Sequence, residues 1–228
     1  MSTFAEYLDL LWQIQALDAA SLRAREFMAR EDMRASGTER GVDRLMKQRG
    51  DADAEYKLME VRHRELEAEL KRLDARIRQI ESVPDSEAAV AKHREAIEAL
   101  EMDGLSLLGD IDTQRAKVKQ LDNEIEAQRK IAAIEREGAK ATAREKQAII
   151  DDLHRQREAI AANIPEDVLR VYDGSAQRHP GTAMVRTSTD FCAACSGELN
   201  MQMIMRAKAR TEFVRCPHCS RILDGPAP

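Results

Sequence analysis

One feature limits what this chain can fold into more than any other: a seven-residue repeat of seam positions running from Tyr7 to Ile80 without a skip. One set begins Tyr7, Ile14 and ends Leu70, Ile77, and its companion begins Leu10, Leu17 and ends Leu73, Ile80. Apolar residues alternating three and four apart form a narrow stripe on a helix, and that stripe needs a facing helix to cover it. Ser82-Val83-Pro84-Asp85-Ser86 interrupts the repeat, because proline disfavours helical geometry in the residue before it. A second register then runs from Val90 and Ile97 to Leu153 and Ile160, with His93, Leu100, Leu107, Leu121 and Ile149 among its companions. Two long registers around one short break predict an antiparallel coiled-coil hairpin over residues 1–163, with its turn at 82–86. Facing residues then sum to 170, which pairs Ile80 with Val90, Leu45 with Ile125 and Leu10 with Ile160.

The pairing weakens where residues 21–42 face 128–149. Glu31 meets Ala139, Ala35 meets Glu135 and Thr38 meets Ala132 there, and Gly37, Gly41 and Gly138 fall in the same zone. Glycine inside a helix costs about 1 kcal/mol relative to alanine, so a kink, a splay or a short break is expected, serving as a flexible joint or a partner groove or as mere irregularity. His63 and His93 occupy seam positions and read as packed histidines. Phe4, Leu8, Leu11 and Trp12 are apolar beyond what a coiled-coil seam uses, so they form a candidate docking face, for the C-terminal domain, a partner or a second copy.

Composition agrees with long helices. Charged residues make up 34% and aromatics 4%. From Ile164 onward there are eight Lys and Arg against seven Asp and Glu, so with a total of −5 the hairpin carries −6. That acidity argues against non-specific nucleic-acid binding by the hairpin. The N-terminal residues show no signal-peptide pattern and no apolar run approaches membrane-spanning length, so a cytoplasmic protein without membrane insertion is expected.

All four cysteines lie near the C-terminus, as Cys192-Ala193-Ala194-Cys195 and, twenty residues on, Cys216-Pro217-His218-Cys219. Two C-x2-C pairs at this separation supply four thiolates to one tetrahedral site. A closed four-thiolate site holds structural Zn²⁺ and leaves no open position for catalysis. This reading is preferred to catalytic zinc, a disulfide pair or a redox motif; His218 reads as a bystander. Pro165–Tyr172 reads as a short helix followed by a polar connection from Asp173-Gly174 to Gly181, giving a linking segment over 164–181. Residues 182–228 read as a zinc ribbon, with strands over Thr182–Ser188, through the alternating Leu199, Met201, Met203 and Met205, and over Thr211–Arg215. Arg206, Lys208 and Arg210 at the expected hairpin tip, with Arg215, are candidate contacts to nucleic acid or to a protein partner.

Several pieces together resemble a known bacterial family, the coiled-coil proteins with a C-terminal C4-type zinc ribbon. They are Leu11-Trp12-Gln13-Ile14-Gln15-Ala16-Leu17-Asp18, Ser86-Glu87, Ile164-Pro165 with Tyr172, Gly181-Thr182-Ala183 with Val185, and Cys192-x2-Cys195 with Leu199. Cys216-Pro217-x-Cys219-x-Arg221-Ile222-Leu223 completes the pattern. The chain departs from it at Ser196 and Ser220, where a knuckle often has Gly, and in the long segment from Asp173 to Pro180. The resemblance implies Cys192, Cys195, Cys216 and Cys219 as the ligands of one structural zinc ion. It further implies a non-enzymatic cytoplasmic adaptor or chaperone-like regulator linked to flagellar or type III secretion components, to an alternative sigma factor, and to RNA. The expected fold is mainly α, a long antiparallel hairpin bearing a small β zinc ribbon. No catalytic residues are expected. Expected partners are proteins, with RNA or DNA recognised through the basic ribbon as the alternative, and the chain is a monomer or a homodimer.

Overall fold

The structure is a computed structural model that describes residues 3–187 and 190–225. Ser188, the last residue of one expected strand, lies outside the described residues. Two very long helices, α1 (Phe4–Ile80) and α2 (Glu87–Ala161), precede α3 (Glu166–Arg178), β1 (Met184–Arg186), α4 (Met201–Ala209), β2 (Val214–Arg215) and β3 (Ile222–Asp224). The fold is mainly α with a small C-terminal sheet. No described helix is long and apolar enough to cross a membrane. The chain divides into two compact units, Arg34–Arg136 and Met1–Met33 with Glu137–Pro228.

In the unit Arg34–Arg136 the heptad seam is filled much as the repeat dictates. Val42, Ile125 and Ala132 form a buried cluster with Leu45 packed on it, and Leu66, Ile77, Val90 and Ile111 are buried along the same seam. Cross-helix pairs report the register directly: Arg49 with Asp122, Arg34 with Glu135 and Tyr56 with Arg115 have numbers that add to within one of 170. The seam residue Gln114 is buried and donates to the Ala52 carbonyl at 3.1 Å and to Glu55 at 2.7 Å. Its amide is therefore satisfied rather than stranded. The turn between the helices closes through Val83 N–H to Ile80 O at 2.9 Å, with Asp85 in the left-handed region at φ 62°.

The weak zone does not break. Both helices run unbroken through Gly37, Gly41 and Gly138, contrary to the short break expected there. Small residues and polar clasps replace the missing apolar layers. Ala35 and Ala132 are buried, Glu135 accepts from both Thr38 and Arg34, and Arg136 donates to Glu39 and Ser36. Thr38 and Glu135 are thus bonded across the seam, which offsets part of the local cost of glycine.

At the base, in the unit Met1–Met33 with Glu137–Pro228, a capping box starts α1: Thr3 N–H donates to Glu6 at 3.0 Å, and Glu6 N–H to Thr3 Oγ1 at 3.4 Å. The seam of α2 departs here from the seven-residue repeat. Ile150 is buried at 6% exposure while Ile149, the expected seam residue, is 41% exposed. An α-helix of 3.6 residues per turn drifts from a 3.5-residue repeat, and here α2 must also meet α3. That helix runs on to Arg178, through the Asp173-Gly174 pair read as the start of a connection. Buried Tyr172 and Ser175 hold it in place, Ser175 Oγ donating to Ala183 O at 2.9 Å. Leu8, Leu11 and Ile14 of α1 share one core with Ile164, Val168, Tyr172, Ala183, Met184 and Ile222.

The sheet has the order β1-β3-β2, with β1 parallel and β2 antiparallel to β3. The strand expected through Leu199 to Met205 is instead helix α4. Asn200 caps it by accepting from Met203 N–H at 2.8 Å, and Ile204 and Ala207 bury one face. Methionine and alanine favour helix, and the alternation of methionines is as compatible with a helical turn as with a strand.

Candidate metal centre and its seat on the first helix

Two similar knuckles build the cysteine cluster. In the first, Cys192 N–H donates to Gly197 O and Ser196 N–H returns to Cys192 O; in the second, Cys216 N–H donates to Arg221 O and Ser220 N–H returns to Cys216 O. Each loop closes only because its serine takes a left-handed conformation, φ 56° at Ser196 and 61° at Ser220. Glycine adopts that geometry most readily. Cys192 bridges Thr187 next to β1, and Cys216 directly follows β2.

The four Sγ atoms lie within 4.8 Å of one another. The Cys192–Cys219 separation is 3.8 Å and the Cys195–Cys216 separation 3.7 Å. A disulfide needs about 2.05 Å, so these thiols are not paired covalently. Metal–sulfur bonds of about 2.3 Å in a regular tetrahedron put neighbouring sulfurs roughly 3.8 Å apart. The cluster has the dimensions of a soft-cation site and is compatible with a metal ion such as zinc. Burial pushes the Cys216 thiol up to about 12. Burial also opposes ionisation of Cys219, but hydrogen bonds from Arg221 and the neighbouring thiols outweigh it and bring that thiol to about 7. Burial thus opposes ionisation of Cys192 and Cys216, and a bound cation would supply the missing charge.

His218 lies outside this set. Its Nε2 is 3.0 Å from Glu198 O, and its ring lies so close to Gly197 that a methyl there would sit 2.3 Å from the ring. That contact ties the second knuckle to the first.

The basic residues expected to form one surface are dispersed. Arg206 pairs with Glu212 at 2.7 Å. Arg210 pairs with Asp9 of α1 at 2.6 Å and with Asp224 at 3.1 Å. Arg215 donates to the Ser220 and Val171 carbonyls. Lys208 is exposed on α4 and has no ion pair among the described residues. The helix between the knuckles, where a hairpin tip was expected, separates Arg206 and Lys208 from Arg215.

Phe4, Leu8, Leu11 and Trp12 lie under the sheet. Leu8 and Leu11 are buried, and Phe4 meets Phe213 edge-on at 5.1 Å. Trp12 Nε1 donates to Asp224 Oδ2 at 2.7 Å, with the Arg186 guanidinium 5.2 Å from its ring centre. The buried Gln15 side chain bonds both backbone groups of Met184, accepting at 2.6 Å and donating at 2.9 Å. An amide on a helix thereby satisfies a strand edge. Asp18 accepts from Tyr172 Oη at 2.9 Å and from Arg157 at 2.9 Å, while Arg157 reaches Asp173 at 2.5 Å. Burial and the adjacent Asp18 carboxylate hold the Tyr172 hydroxyl well above its ordinary range. The positioning roles of Gln15, Asp18 and Asp224 were not read from sequence. Gln15 and Asp18 do sit in the Leu11–Asp18 stretch already marked by its resemblance, on the turns that follow Leu8 and Leu11.

Fold and site together define a long helical hairpin that carries a four-thiol head. Solved structures with the same fold include the HP0958 protein from Helicobacter pylori, at 16% identity and a TM-score of 0.72, covering 98% of each chain. CT398 from Chlamydia trachomatis matches at 15% identity and a TM-score of 0.56, over 96% of this chain and 98% of that one. A Mycobacterium smegmatis protein matches at 17% and 0.58, over 98% and 99%. Identities this low establish the fold alone. No protein-family model matches the chain, and no curated protein matches it.

Proposed function

We propose that this protein is a non-enzymatic adaptor: one structural Zn²⁺ held by Cys192, Cys195, Cys216 and Cys219 stabilises a head, and the hairpin presents surfaces to protein partners. The observation that carries the zinc assignment is the clustering of the four sulfurs within 4.8 Å of one another, with two separations of 3.7 and 3.8 Å near the tetrahedral value. The ion supplies the cross-link and charge that hold the two knuckles together; four thiolates fill its coordination sphere, so it brings no reaction. The adaptor half of the reading draws support from the acidic hairpin, whose −6 charge is carried by 1–163, and from its exposed apolar residues such as Leu58 and Leu105. Recognition of RNA or DNA through the head has weaker support, since Arg206, Arg210 and Arg215 are already engaged within the chain.

Elemental analysis of the purified full chain should give one zinc per chain, falling to background in Cys216→Ser. Absence of zinc from a folded chain would overturn the metal assignment. Proteins cross-linked to the full chain in its native cytosol should survive nuclease treatment and high salt. Association abolished by nuclease would replace the adaptor reading with the nucleic-acid one.

A further inference from the structure

The seam of the unit Arg34–Arg136 has two flanks; one is clasped along its length, and the other is bridged at its end by Arg34 with Glu135 at 3.0 Å. On the clasped flank Arg136 bonds Glu39 and Ser36, and Arg129 reaches Met46. By the heptad register the other flank carries Gly37 and Gly41 on α1, one turn apart, level with Ile134 and Ile131 on α2. Ile131 is 45% exposed and Ile134 73% exposed.

Cations line this flank. A methyl placed on Gly37 would lie 3.9 Å from Arg40 Nη2, and one on Gly41 would lie 4.0 Å from Arg44 Nη2, so both guanidinium groups fold back beside the glycines. Arg40, Arg44 and Lys47, successive along one side of α1, have no ion pair among the described residues. Some exposed cations of this unit pair along their helix, as Arg62 does with Glu65 and Lys130 with Glu126, while others, such as Lys71 and Lys117, do not pair among the described residues. Three unpaired cations on an acidic hairpin are a local reversal of sign.

We propose that this flank is a groove for an acidic amphipathic α-helix of a protein partner. Glycines at 37 and 41 let a third helix backbone approach closely, Ile131 and Ile134 provide an apolar wall, and Arg40, Arg44 and Lys47 meet carboxylates on the incoming helix. A phosphate backbone would use the cations but leave the isoleucines exposed, so a protein helix matches more of the surface than a nucleic acid does. The proposal rests on the reading that the hairpin binds proteins.

The test is fluorescence anisotropy with the zinc-loaded full chain and three labelled probes. One is a designed helical 20-residue peptide with leucines at helical spacing and flanking glutamates; the second replaces those glutamates with lysines; the third is a 20-nucleotide single-stranded RNA. The acidic peptide should bind and the basic one should not. Binding should weaken at least tenfold in Ile131→Glu/Ile134→Glu and in Arg40→Glu/Arg44→Glu, and stay unchanged in Arg62→Glu. Gly37→Leu/Gly41→Leu fills the groove with good helix formers, so it should lose binding at unchanged or higher thermal stability, which separates occlusion from misfolding. No binding of the acidic peptide, equal binding of both peptides, or indifference to these variants would overturn the groove. RNA binding that is lost in Arg40→Glu/Arg44→Glu, with no peptide binding, would overturn it in favour of nucleic acid. Cross-linked proteins that persist in the groove variants would sink the groove and leave the adaptor reading intact.

Discussion

Replacing Trp12 with Phe and Asp224 with Ala, singly and together, measures how the head is fastened to α1. The Asp224 side chain is 4% exposed and accepts from Trp12 Nε1 at 2.7 Å, Arg210 Nε at 3.1 Å and Gly225 N–H at 2.9 Å. Hydrogen bonds to a charged group contribute about 1.5–3 kcal/mol each, and the donors left behind carry a desolvation penalty. Asp224→Ala removes all three bonds, but Arg210 retains Asp9 at the exposed edge, so the expected cost is about 4 kcal/mol. Trp12→Phe removes one bond and the Arg186 contact, the latter contributing roughly 0.5–1 kcal/mol, so about 2–3 kcal/mol is expected. Both substitutions break the same bond. The double variant should therefore cost less than the sum by about 1.5–2 kcal/mol. Amide exchange of Met184–Arg186 and Ile222–Asp224 under saturating zinc reads these costs as opening free energies, about tenfold faster exchange per 1.4 kcal/mol. Far-UV dichroism, dominated by the two long helices, should hardly change. Trp12 is the only tryptophan, so its emission should shift to the red in Asp224→Ala. Costs that add within about 0.5 kcal/mol would refute the account, because the bond would then not couple helix to sheet.

Ser196→Gly and Ser220→Gly should each tighten the metal-bound head by about 1 kcal/mol, by relieving the left-handed strain at φ 56° and 61°; the check is roughly fivefold slower zinc loss to a competing chelator for each. Cys216→Ser should abolish zinc binding and unfold the head while leaving the helical dichroism of the hairpin largely intact, as metal analysis and exchange of Val214–Asp224 would report. Tyr172 carries a raised folded pKa above an ordinary value of 10.0, so its contribution to stability is fully present below pH 10 and is lost as pH rises beyond it. The urea midpoint of the native chain should consequently fall more steeply between pH 10 and 11 than that of Tyr172→Phe. Gly181→Val should destabilise the turn before β1 by at least 2 kcal/mol, since φ is +69° and even a first side-chain carbon would lie 3.3 Å from the Ala19 backbone; thermal melts of the two proteins decide it.

Much of this architecture could be read from spacing alone, and the exceptions share a cause. Leu45 and Ile125 are recognisable as partners because each belongs to a repeat, and a repeat carries its own register. Cys192, Cys195, Cys216 and Cys219 are recognisable because a tetrahedral ligand set needs two tight knuckles. Glu135 gave a poor layer opposite Ala35 in that scheme, yet it accepts from Thr38 and Arg34. A pattern of apolar residues has no term for a polar clasp formed across a hundred residues of sequence. The α4 segment failed for another reason. Met201, Met203 and Met205 satisfy period two by coincidence, while the features that select helix, the Asn200 cap and the burial of Ile204 and Ala207, depend on what lies beneath.

Asp224 shows most clearly how head and helix depend on one another. It is one of seven carboxylates among the last sixty-five residues, and its sequence neighbours Leu223 and Gly225 give no hint that it is buried. Its partners are Trp12, more than two hundred residues earlier, and Arg210, which itself returns to α1 through Asp9. Met184 is likewise completed by Gln15, and Ile222 joins a core begun by Leu8 and Leu11. Part of the head's interior is thus made of α1. A metal site of four thiols can hold two knuckles to each other, but a three-stranded sheet with strands of two and three residues has little core of its own. The four-thiol knuckles and the helix base close different sides of that sheet, the knuckles above and the Trp12 face below. Stripping the metal should therefore loosen the knuckles before β1 and β3 leave α1. The order is measurable: during chelation, exchange at Cys192–Gly197 and Cys216–Arg221 should rise ahead of exchange at Met184–Arg186 and of any shift in Trp12 emission. Simultaneous loss of both would mean that the metal, not the helix base, holds the sheet in its seat.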